Sequence, residues 1–383
     1  MSKAVGLHTH AIVSGVQGVK IAKILTATEA NEGRYSLENI VVWEAELPGA
    51  AGSIGCTDGR GIRINDVRDK AVVRPGDVIR LRENSSLISV LYRRGSKANT
   101  LFATERCNSD CIMCSQPPRN EDDSWRLDEL AQTIRLIDID EIQVGISGGE
   151  PTLLGGELGH LIDIAGQYLP NTMLHILSNG RLFHDRQFAT LTAGRRPQSI
   201  VWAIPLYGDV ADVHDDVVRA SGSFQETLNG LYELGRIGAR VEIRVVLHKM
   251  TVGRLPQLAS FIYRRLPFVE HVALMGIEPM GFAKRNRDHL WVDPADYLGA
   301  LEEAVFYLDN RGLTTSIYNL PLCVLPQHLW PFAERSISDW KNVYAEECVS
   351  CAAASRCGGF FASAGVAWRS RAIRTISQQE LAA

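Results

Sequence analysis

The stretch that decides the fold is residues 101–114, which read Leu-Phe-Ala-Thr-Glu-Arg-Cys-Asn-Ser-Asp-Cys-Ile-Met-Cys. It ends in three cysteines, Cys107, Cys111 and Cys114, with the spacing CxxxCxxC. The apolar start predicts a strand over residues 98–105, so the cysteines fall in the loop that follows it. Three thiolates can bind a [4Fe–4S] cluster and leave one iron open to an external ligand, whereas a structural zinc ion needs a fourth ligand. A zinc site with a distant fourth ligand, or three purely structural cysteines, are the alternatives.

Downstream of this loop, strand-like runs alternate with helical segments. Five more strands are predicted at residues 141–147, 173–177, 199–206, 241–247 and 271–277. Helices are predicted after Ser124 and at residues 223–237 and 255–266. This alternation predicts an α/β fold with a partial (β/α)6 TIM-like barrel over residues 98–290, since parallel strands need right-handed crossovers. A dinucleotide-binding sheet is unsupported, because no Gly-x-Gly-x-x-Gly follows the first strand.

Residues 1–97 have a different pattern, with short β-like runs between turn signals. Strands are predicted at residues 40–43, 71–73, 78–82 and 87–92. This spacing predicts a small β-rich domain, followed by a polar linker. Such a domain could recognise a peptide through an exposed strand edge, or it could simply cover one end of the barrel.

Composition excludes several classes of function. The chain has 383 residues, of which 45% are hydrophobic, and a net charge of −4. A general phosphate-backbone binder is disfavoured because there is no basic excess. No apolar run is long enough to span a membrane, and the N-terminus lacks the pattern of a secretory signal. We therefore expect a cytoplasmic protein with no nucleic-acid or membrane partner, in which eight cysteines indicate metal binding or catalysis before disulfides.

A second cysteine group lies in the C-terminal region, residues 291–383, after a helix predicted at residues 294–310. Cys348, Cys351 and Cys357 have the spacing C-x2-C-x5-C, and Cys323 could complete a set of four. Four thiolates suit either zinc or an iron–sulfur cluster. Cys56 stands apart, and we expect it to be a small buried hydrophobic residue.

The first cysteine loop and the motifs after the next strands resemble the radical SAM superfamily. Residues 147–151, Ser-Gly-Gly-Glu-Pro, are similar to the GGEP motif that holds the amino group of S-adenosylmethionine (SAM), and residues 177–180 are similar to the TNG-type motif. All of these motifs fall at the carboxyl ends of predicted strands, where barrel enzymes place their sites. The resemblance implies a [4Fe–4S] cluster on Cys107, Cys111 and Cys114 with an iron open to SAM.

The same resemblance implies the SAM-binding residues. Met113 and Gly276 are expected near adenine, Glu150 at the ammonium group and Arg244 near the carboxylate. The full set is Met113, Gly148, Gly149, Glu150, Pro151, Ser178, Asn179, Arg244 and Gly276. The implied chemistry is reductive cleavage of SAM to a 5′-deoxyadenosyl radical, which abstracts hydrogen from the substrate. This chemistry requires no acid–base dyad, and none is assigned.

The spacing of the second group is similar to the SPASM/twitch auxiliary-cluster domains of peptide-modifying radical SAM enzymes. This likeness implies one auxiliary [4Fe–4S] cluster on Cys323, Cys348, Cys351 and Cys357, with zinc as the alternative. Domains with two auxiliary clusters carry another cysteine where this chain has Phe361, so a second auxiliary cluster is not expected.

Longer strings resemble the HxsC-type maturases of the His-Xaa-Ser peptide system. They comprise residues 101–118, 274–283, 317–323, 336–341 and 357–363. The resemblance implies a ribosomally made His-Xaa-Ser-type precursor peptide, a second radical SAM maturase and an electron donor such as flavodoxin or ferredoxin. The competing hypotheses are a radical SAM enzyme acting on a small molecule or nucleobase, and a non-catalytic iron–sulfur or zinc scaffold.

Overall fold

The computed structural model describes residues 7–44, 47–55, 61–335 and 342–382. Cys56 and the string at residues 336–341 lie outside these ranges. Within them the chain forms two eight-stranded sheets and a two-stranded ribbon. The strands are β1 His8–His10, β2 Ile12–Ser14, β3 Val19–Leu25, β4 Ile40–Trp43, β5 Gly52–Ile54, β6 Ile62–Asn65, β7 Val78–Arg82, β8 Leu87–Tyr92, β9 Thr100–Phe102, β10 Gln143–Ser147, β11 Met173–Leu177, β12 Ile200–Pro205, β13 Arg240–Leu247, β14 Val269–Gly276, β15 Thr314–Tyr318, β16 Ala333–Glu334, β17 Asn342–Val343 and β18 Phe360–Phe361.

The α-helices lie mostly between the strands of the second sheet. They are α1 Ala27–Asn31, α2 Trp125–Leu136, α3 Gly156–Tyr168, α4 Arg186–Thr192, α5 Ala211–Val218, α6 Ser223–Arg236, α7 Leu255–Arg265, α8 Gly281–Arg285, α9 Arg287–Leu290, α10 Leu298–Asp309 and α11 Gln378–Ala382. No helix in the described ranges has the length and apolar character needed to cross a bilayer.

The N-terminal sheet has the strand order β1-β8-β7-β3-β4-β5-β6-β2. The strands at its two ends, β1 and β2, are consecutive in the chain and separated only by Ala11. The sheet is therefore strongly curved, and its two ends come together at residues 8–14. The backbone of β1 is further covered by a hydrogen bond from Arg68 N to His10 O. The strand expected at residues 71–73 is wrong, because these residues form a turn in which Val72 and Val73 fill the core without joining the sheet. The other three predicted strands are confirmed as β4, β7 and β8.

The second sheet is parallel throughout, with the order β16-β15-β14-β13-β12-β11-β10-β9. All six strands predicted for the barrel are present as β9 to β14. The expectation of six strands is nevertheless wrong, because β15 and β16 extend the sheet to eight. β15 reads Thr-Thr-Ser-Ile-Tyr, with a single aliphatic residue, and β16 has only two residues, so neither forms an apolar run that identifies a strand from sequence. The sheet therefore continues past residue 290.

Strand β13 shows how the sequence fixes the two faces of this sheet. Val241, Ile243 and Val245 are fully buried in the core under the helices. Glu242 and Arg244 alternate with them, and so point to the inner face of the barrel. Burying each aliphatic side chain contributes roughly 2 kcal/mol, so a one-residue shift of register would be strongly disfavoured. The alternation thus places the charged side chains of β13 inside the barrel.

Candidate functional site

The main cavity lies at the carboxyl ends of the parallel strands and has a volume of about 900 Å³. Three parts of the chain form its walls. Arg80 belongs to the N-terminal sheet, the cysteine loop and strand ends belong to the barrel, and Tyr344 and Phe361 belong to the C-terminal region. This is the face of a β/α barrel where active sites are built.

Cys107, Cys111 and Cys114 all line this cavity. The loop is fixed by backbone hydrogen bonds, including Ile112 N to Val217 O at 2.9 Å and Phe282 N to Cys114 O at 2.8 Å. Burial raises the pKa of Cys107 to about 11 and that of Cys111 to about 12, and it also raises the pKa of Cys114. The thiols are therefore protonated at neutral pH, and binding of a metal must displace their protons.

The glycine turn after β10 packs directly on the cysteine loop. A Cβ atom on Gly149 would lie 2.2 Å from Arg106 O, and one on Gly148 would lie 2.6 Å from Thr104 O. The two segments are joined by hydrogen bonds from Gly149 N to Thr104 O at 2.7 Å and from Glu150 N to Arg106 O at 2.8 Å. Glycine is required here because two backbones approach closely.

Glu150 lies behind the cavity wall, with no exposed surface. Its Oε1 accepts hydrogen bonds from Thr152 N, Thr152 Oγ1 at 2.6 Å and Ser178 Oγ at 2.7 Å, and its Oε2 accepts one from Asn179 N at 2.6 Å. Burial raises the pKa of Glu150. A carboxylate has about four acceptor positions, two on each oxygen, so Oε2 can accept one more donor. Its role as the acceptor for the SAM ammonium group stays a prediction.

Asn179 joins the end of β11 to the cysteine loop. Its Nδ2 donates to Asn108 Oδ1 at 2.6 Å, and its Oδ1 accepts from Arg181 N at 3.0 Å. Arg181 in turn donates to Asn108 O and to Glu226 Oε2. The motif after the third barrel strand therefore braces the loop that carries the thiols.

Most of the predicted SAM-binding residues come together at the cavity. Seven of the nine line it, whereas Glu150 and Pro151 are buried and do not. The lining residues are Met113, Gly148, Gly149, Ser178, Asn179, Arg244 and Gly276.

Tyr207 is a cavity residue that the sequence analysis missed. It follows β12, is only 7% exposed, lines the cavity and packs with Met113. Its ring stacks on His214 with centroids 5.6 Å apart, and its backbone N lies 3.3 Å from His214 Nδ1. Burial raises the pKa of Tyr207 well above its usual range, and the nearby thiols of Cys111, Cys114 and Cys107 add to the effect. The only sequence signal was a tyrosine directly after a barrel strand.

The four C-terminal cysteines, Cys323, Cys348, Cys351 and Cys357, line one small cavity of about 10 Å³. Backbone N–H groups point at two of the sulfurs, with Leu322 N and Gly359 N each 3.4 Å from Cys357 Sγ and Ile376 N 3.4 Å from Cys351 Sγ. Such donors are a feature of iron–sulfur ligation.

Tyr344 connects this group to the main cavity, because its hydroxyl donates to Cys357 O at 2.9 Å. Over the described ranges, no group of three or more His, Cys, Asp or Glu residues is arranged to hold a metal ion. The two cysteine groups fit an iron–sulfur cluster by the chemistry of their donors, since the first three cysteines share one cavity and the four C-terminal cysteines share another.

Comparison with known proteins identifies the domain that carries this site. Residues 101–262 match the model of the radical SAM superfamily. This part of the chain is similar to radical SAM domains, as the resemblance of the cysteine loop and the strand-end motifs implied. No curated protein matches the chain.

Several solved structures are similar in fold. Streptococcus suis SuiB bound to S-adenosylmethionine aligns with a TM-score of 0.45 and 15% identity, over 57% of this chain and 49% of SuiB. SuiB bound to its precursor peptide SuiA aligns with a TM-score of 0.44 and 16% identity, over 57% of this chain and 48% of SuiB. The anSMEcpe protein with bound AdoMet and the Cp18Cys peptide aligns with a TM-score of 0.44 and 15% identity, over 56% of this chain and 62% of anSMEcpe. The alignment thus spans about half the length of SuiB.

Proposed function

We propose that this protein is a radical SAM enzyme that modifies a ribosomally made peptide. The observation that carries the proposal is the convergence of Cys107, Cys111 and Cys114 on the cavity that the glycine turn and Arg244 also line. These thiols would hold a [4Fe–4S] cluster. When bound, the cluster and SAM supply a 5′-deoxyadenosyl radical for hydrogen abstraction, and the protein supplies binding and orientation.

The residues of the chain have separate tasks in this proposal. Gly148 and Gly149 let the turn after β10 pack against the cysteine loop, and Glu150 and Asn179 make that wall of the cavity rigid. Arg244 supplies a cation for the SAM carboxylate. Met113 and Tyr207 form an apolar, buried wall, which excludes water from a reactive radical.

The cavity is large enough to hold SAM together with part of a substrate. About 900 Å³ lies at the upper end of the range for small-molecule sites, so there is room for a peptide side chain beside SAM. Walls from three parts of the chain suit an extended ligand. With the likeness of the longer sequence strings, this supports a His-Xaa-Ser-type precursor peptide as substrate, with a second radical SAM maturase and flavodoxin or ferredoxin as partners.

The C-terminal group would hold an auxiliary [4Fe–4S] cluster on Cys323, Cys348, Cys351 and Cys357. Four thiolates would leave no iron open to substrate, so its role would be electron transfer or support of the cavity wall that Tyr344 and Phe361 form.

The decisive experiment is anaerobic incubation of the reconstituted protein with SAM, reductant and the candidate peptide. Mass spectrometry should show 5′-deoxyadenosine and a mass change in the peptide. The triple variant Cys107→Ala/Cys111→Ala/Cys114→Ala should form neither, while Cys56→Ala serves as the matched control. SAM cleavage without any change to peptides would favour a small-molecule substrate, and iron binding without SAM cleavage would indicate a scaffold.

A further inference from the structure

A polar network fills the inside of the barrel next to the main cavity, and no motif pointed to it. At its centre is Glu242 on β13, which is 7% exposed. Its Oε1 accepts a hydrogen bond from Arg244 Nη1 at 2.8 Å. Its Oε2 lies 2.9 Å from His271 Nδ1 and 3.3 Å from His175 Nε2.

The network ties four strands of the sheet together. His175 is on β11, Glu242 on β13 and His271 on β14, and His271 Nε2 reaches Ser316 Oγ on β15 at 3.0 Å. A buried carboxylate is costly unless donors surround it, and here three side chains on three strands supply them. Burial alone would raise the pKa of Glu242. Hydrogen bonds from the two histidines and the charge of Arg244 instead hold this pKa well below its usual range. Glu242 is therefore an ionised and immobile group.

Arg244 is the member of the network that reaches the cavity. One of its terminal nitrogens is held by Glu242, and the other lies 3.0 Å from Met275 Sδ. A free arginine side chain loses rotamer entropy when it is fixed in one orientation. Because Glu242 already fixes the guanidinium in the free protein, binding of a ligand carboxylate does not include the entropy cost of ordering Arg244.

We propose that Glu242 is a positioning residue that sets Arg244 in the orientation in which it receives the SAM carboxylate. The inference rests on the proposed function, because it assumes that SAM binds in this cavity. It adds that the affinity for SAM depends on a carboxylate that does not touch the ligand and acts only through Arg244.

The test is a double-mutant cycle read as the dissociation constant for SAM. Titration calorimetry is performed anaerobically on the reconstituted holoprotein. Glu242→Gln should raise the dissociation constant about tenfold, because a neutral amide holds the Arg244 guanidinium less firmly than a carboxylate does and its NH2 group cannot accept a hydrogen bond from Arg244. The double variant Glu242→Gln/Arg244→Gln should match Arg244→Gln alone within about twofold, since residues that act as one unit are not additive. The SAM cleavage rate at saturating SAM should stay within about threefold of wild type in Glu242→Gln.

A matched control is available on the same two strands. Glu270 on β14 pairs with Arg240 on β13 at 2.8 Å, but the two side chains are 48% and 32% exposed. Glu270→Gln should leave the dissociation constant unchanged. Glu242→Asp keeps the charge and should recover part of the affinity lost in Glu242→Gln.

Loss of folding does not remove the test. Glu242→Gln leaves Arg244 as a buried cation, whereas the double variant removes both charges and should fold better. The comparison of the double variant with Arg244→Gln therefore remains valid even if Glu242→Gln does not fold. A further loss of affinity in the double variant would mean that Glu242 acts independently of Arg244, which would overturn the inference while sparing the proposed function. No SAM binding by the wild-type holoprotein would overturn both.

Discussion

The ammonium group of Lys23, in the N-terminal sheet, lies 3.1 Å from the carboxylate of Asp138, in the barrel. Lys23 has no exposed surface, and its Nζ also donates to Leu136 O at 2.7 Å. It lies 4.9 Å from the ring centre of Tyr35 and 5.2 Å from that of Tyr92. Burial lowers the pKa of Lys23 to about 8, although Asp138 opposes the shift. A buried charge pair therefore fastens the N-terminal sheet to the barrel that carries the site.

We predict that Asp138→Asn lowers the free energy of unfolding at pH 7 by about 3 kcal/mol, because it deprives the buried Lys23 ammonium, and also Arg94, of the carboxylate that they share. Urea denaturation would measure the change. The matched control is Asp163→Asn, in a largely exposed ion pair with Arg195, which should cost less than about 1 kcal/mol. Equal losses in the two variants would mean that the buried pair contributes no more than a surface pair.

A pH dependence of stability is expected from Asp77. This carboxylate has no exposed surface, and its Oδ1 has no hydrogen-bond partner within the described ranges. Burial raises the pKa of Asp77 to about 6, although Arg93 and Arg74 oppose the shift. The folded state thus binds more protons than the unfolded state between about pH 4 and pH 6, so this contribution to stability is present at low pH and is lost as the pH rises through 6.

The variant Asp77→Asn should remove that dependence. The free energy of unfolding of the variant minus that of wild type should increase by on the order of 2 kcal/mol as the pH rises from 4 to 7.5. Thermal melts of both proteins across this range give the difference. A constant difference between the two proteins at every pH would show that Asp77 titrates normally.

Glu150→Gln should weaken SAM binding about tenfold without loss of iron. The carboxylate is expected to accept a charge-assisted hydrogen bond from the SAM ammonium, and such bonds are worth more than neutral ones. Equilibrium binding and iron analysis on the same sample measure the two effects. An unchanged dissociation constant would mean that Glu150 only joins the glycine turn to Ser178 and Asn179.

Tyr207→Phe removes only the hydroxyl of a buried residue that lines the same cavity as the three thiols. We expect SAM affinity to fall about three- to tenfold, as for loss of one hydrogen bond to a charged ligand, while the melting temperature stays close to wild type. Tyr297→Phe is the matched control, because Tyr297 is equally buried but does not line the main cavity. Equal effects of the two substitutions on SAM binding would remove Tyr207 from the site.

Cys348→Ser/Cys351→Ser should impair peptide modification more than uncoupled SAM cleavage, because radical formation is assigned to the other cysteine loop. Wild type should bind about eight irons and this variant about four. Circular dichroism is needed to confirm folding, since a cluster can also hold its domain together. Peptide modification at the wild-type rate by the folded variant would reduce the second group to a structural support, and zinc in place of the second four irons would exclude an auxiliary cluster.

The sequence by itself determined the barrel strands and the cysteine loop, because both are encoded locally. Alternating apolar runs specify strands through burial, and a motif placed directly after a strand must lie at the carboxyl edge of a parallel sheet. That rule was enough to predict that Cys107, Gly149 and Asn179 lie together at one edge of the sheet. Strand β15 was not predicted because its residues, Thr-Thr-Ser-Ile-Tyr, form no apolar run.

Only the tertiary structure decided which distant residues share the inside of the barrel. His175, Glu242 and His271 are far apart in the chain, and nothing in their local sequence marks them as neighbours. They meet because β11, β13 and β14 lie in one parallel sheet, where register sets which inward side chains are adjacent. Tyr207 became a cavity residue for the same reason. Packing of the N-terminal sheet against helix α2 likewise placed Lys23 beside Asp138, since the cost of burying either charge alone selects the arrangement in which they meet.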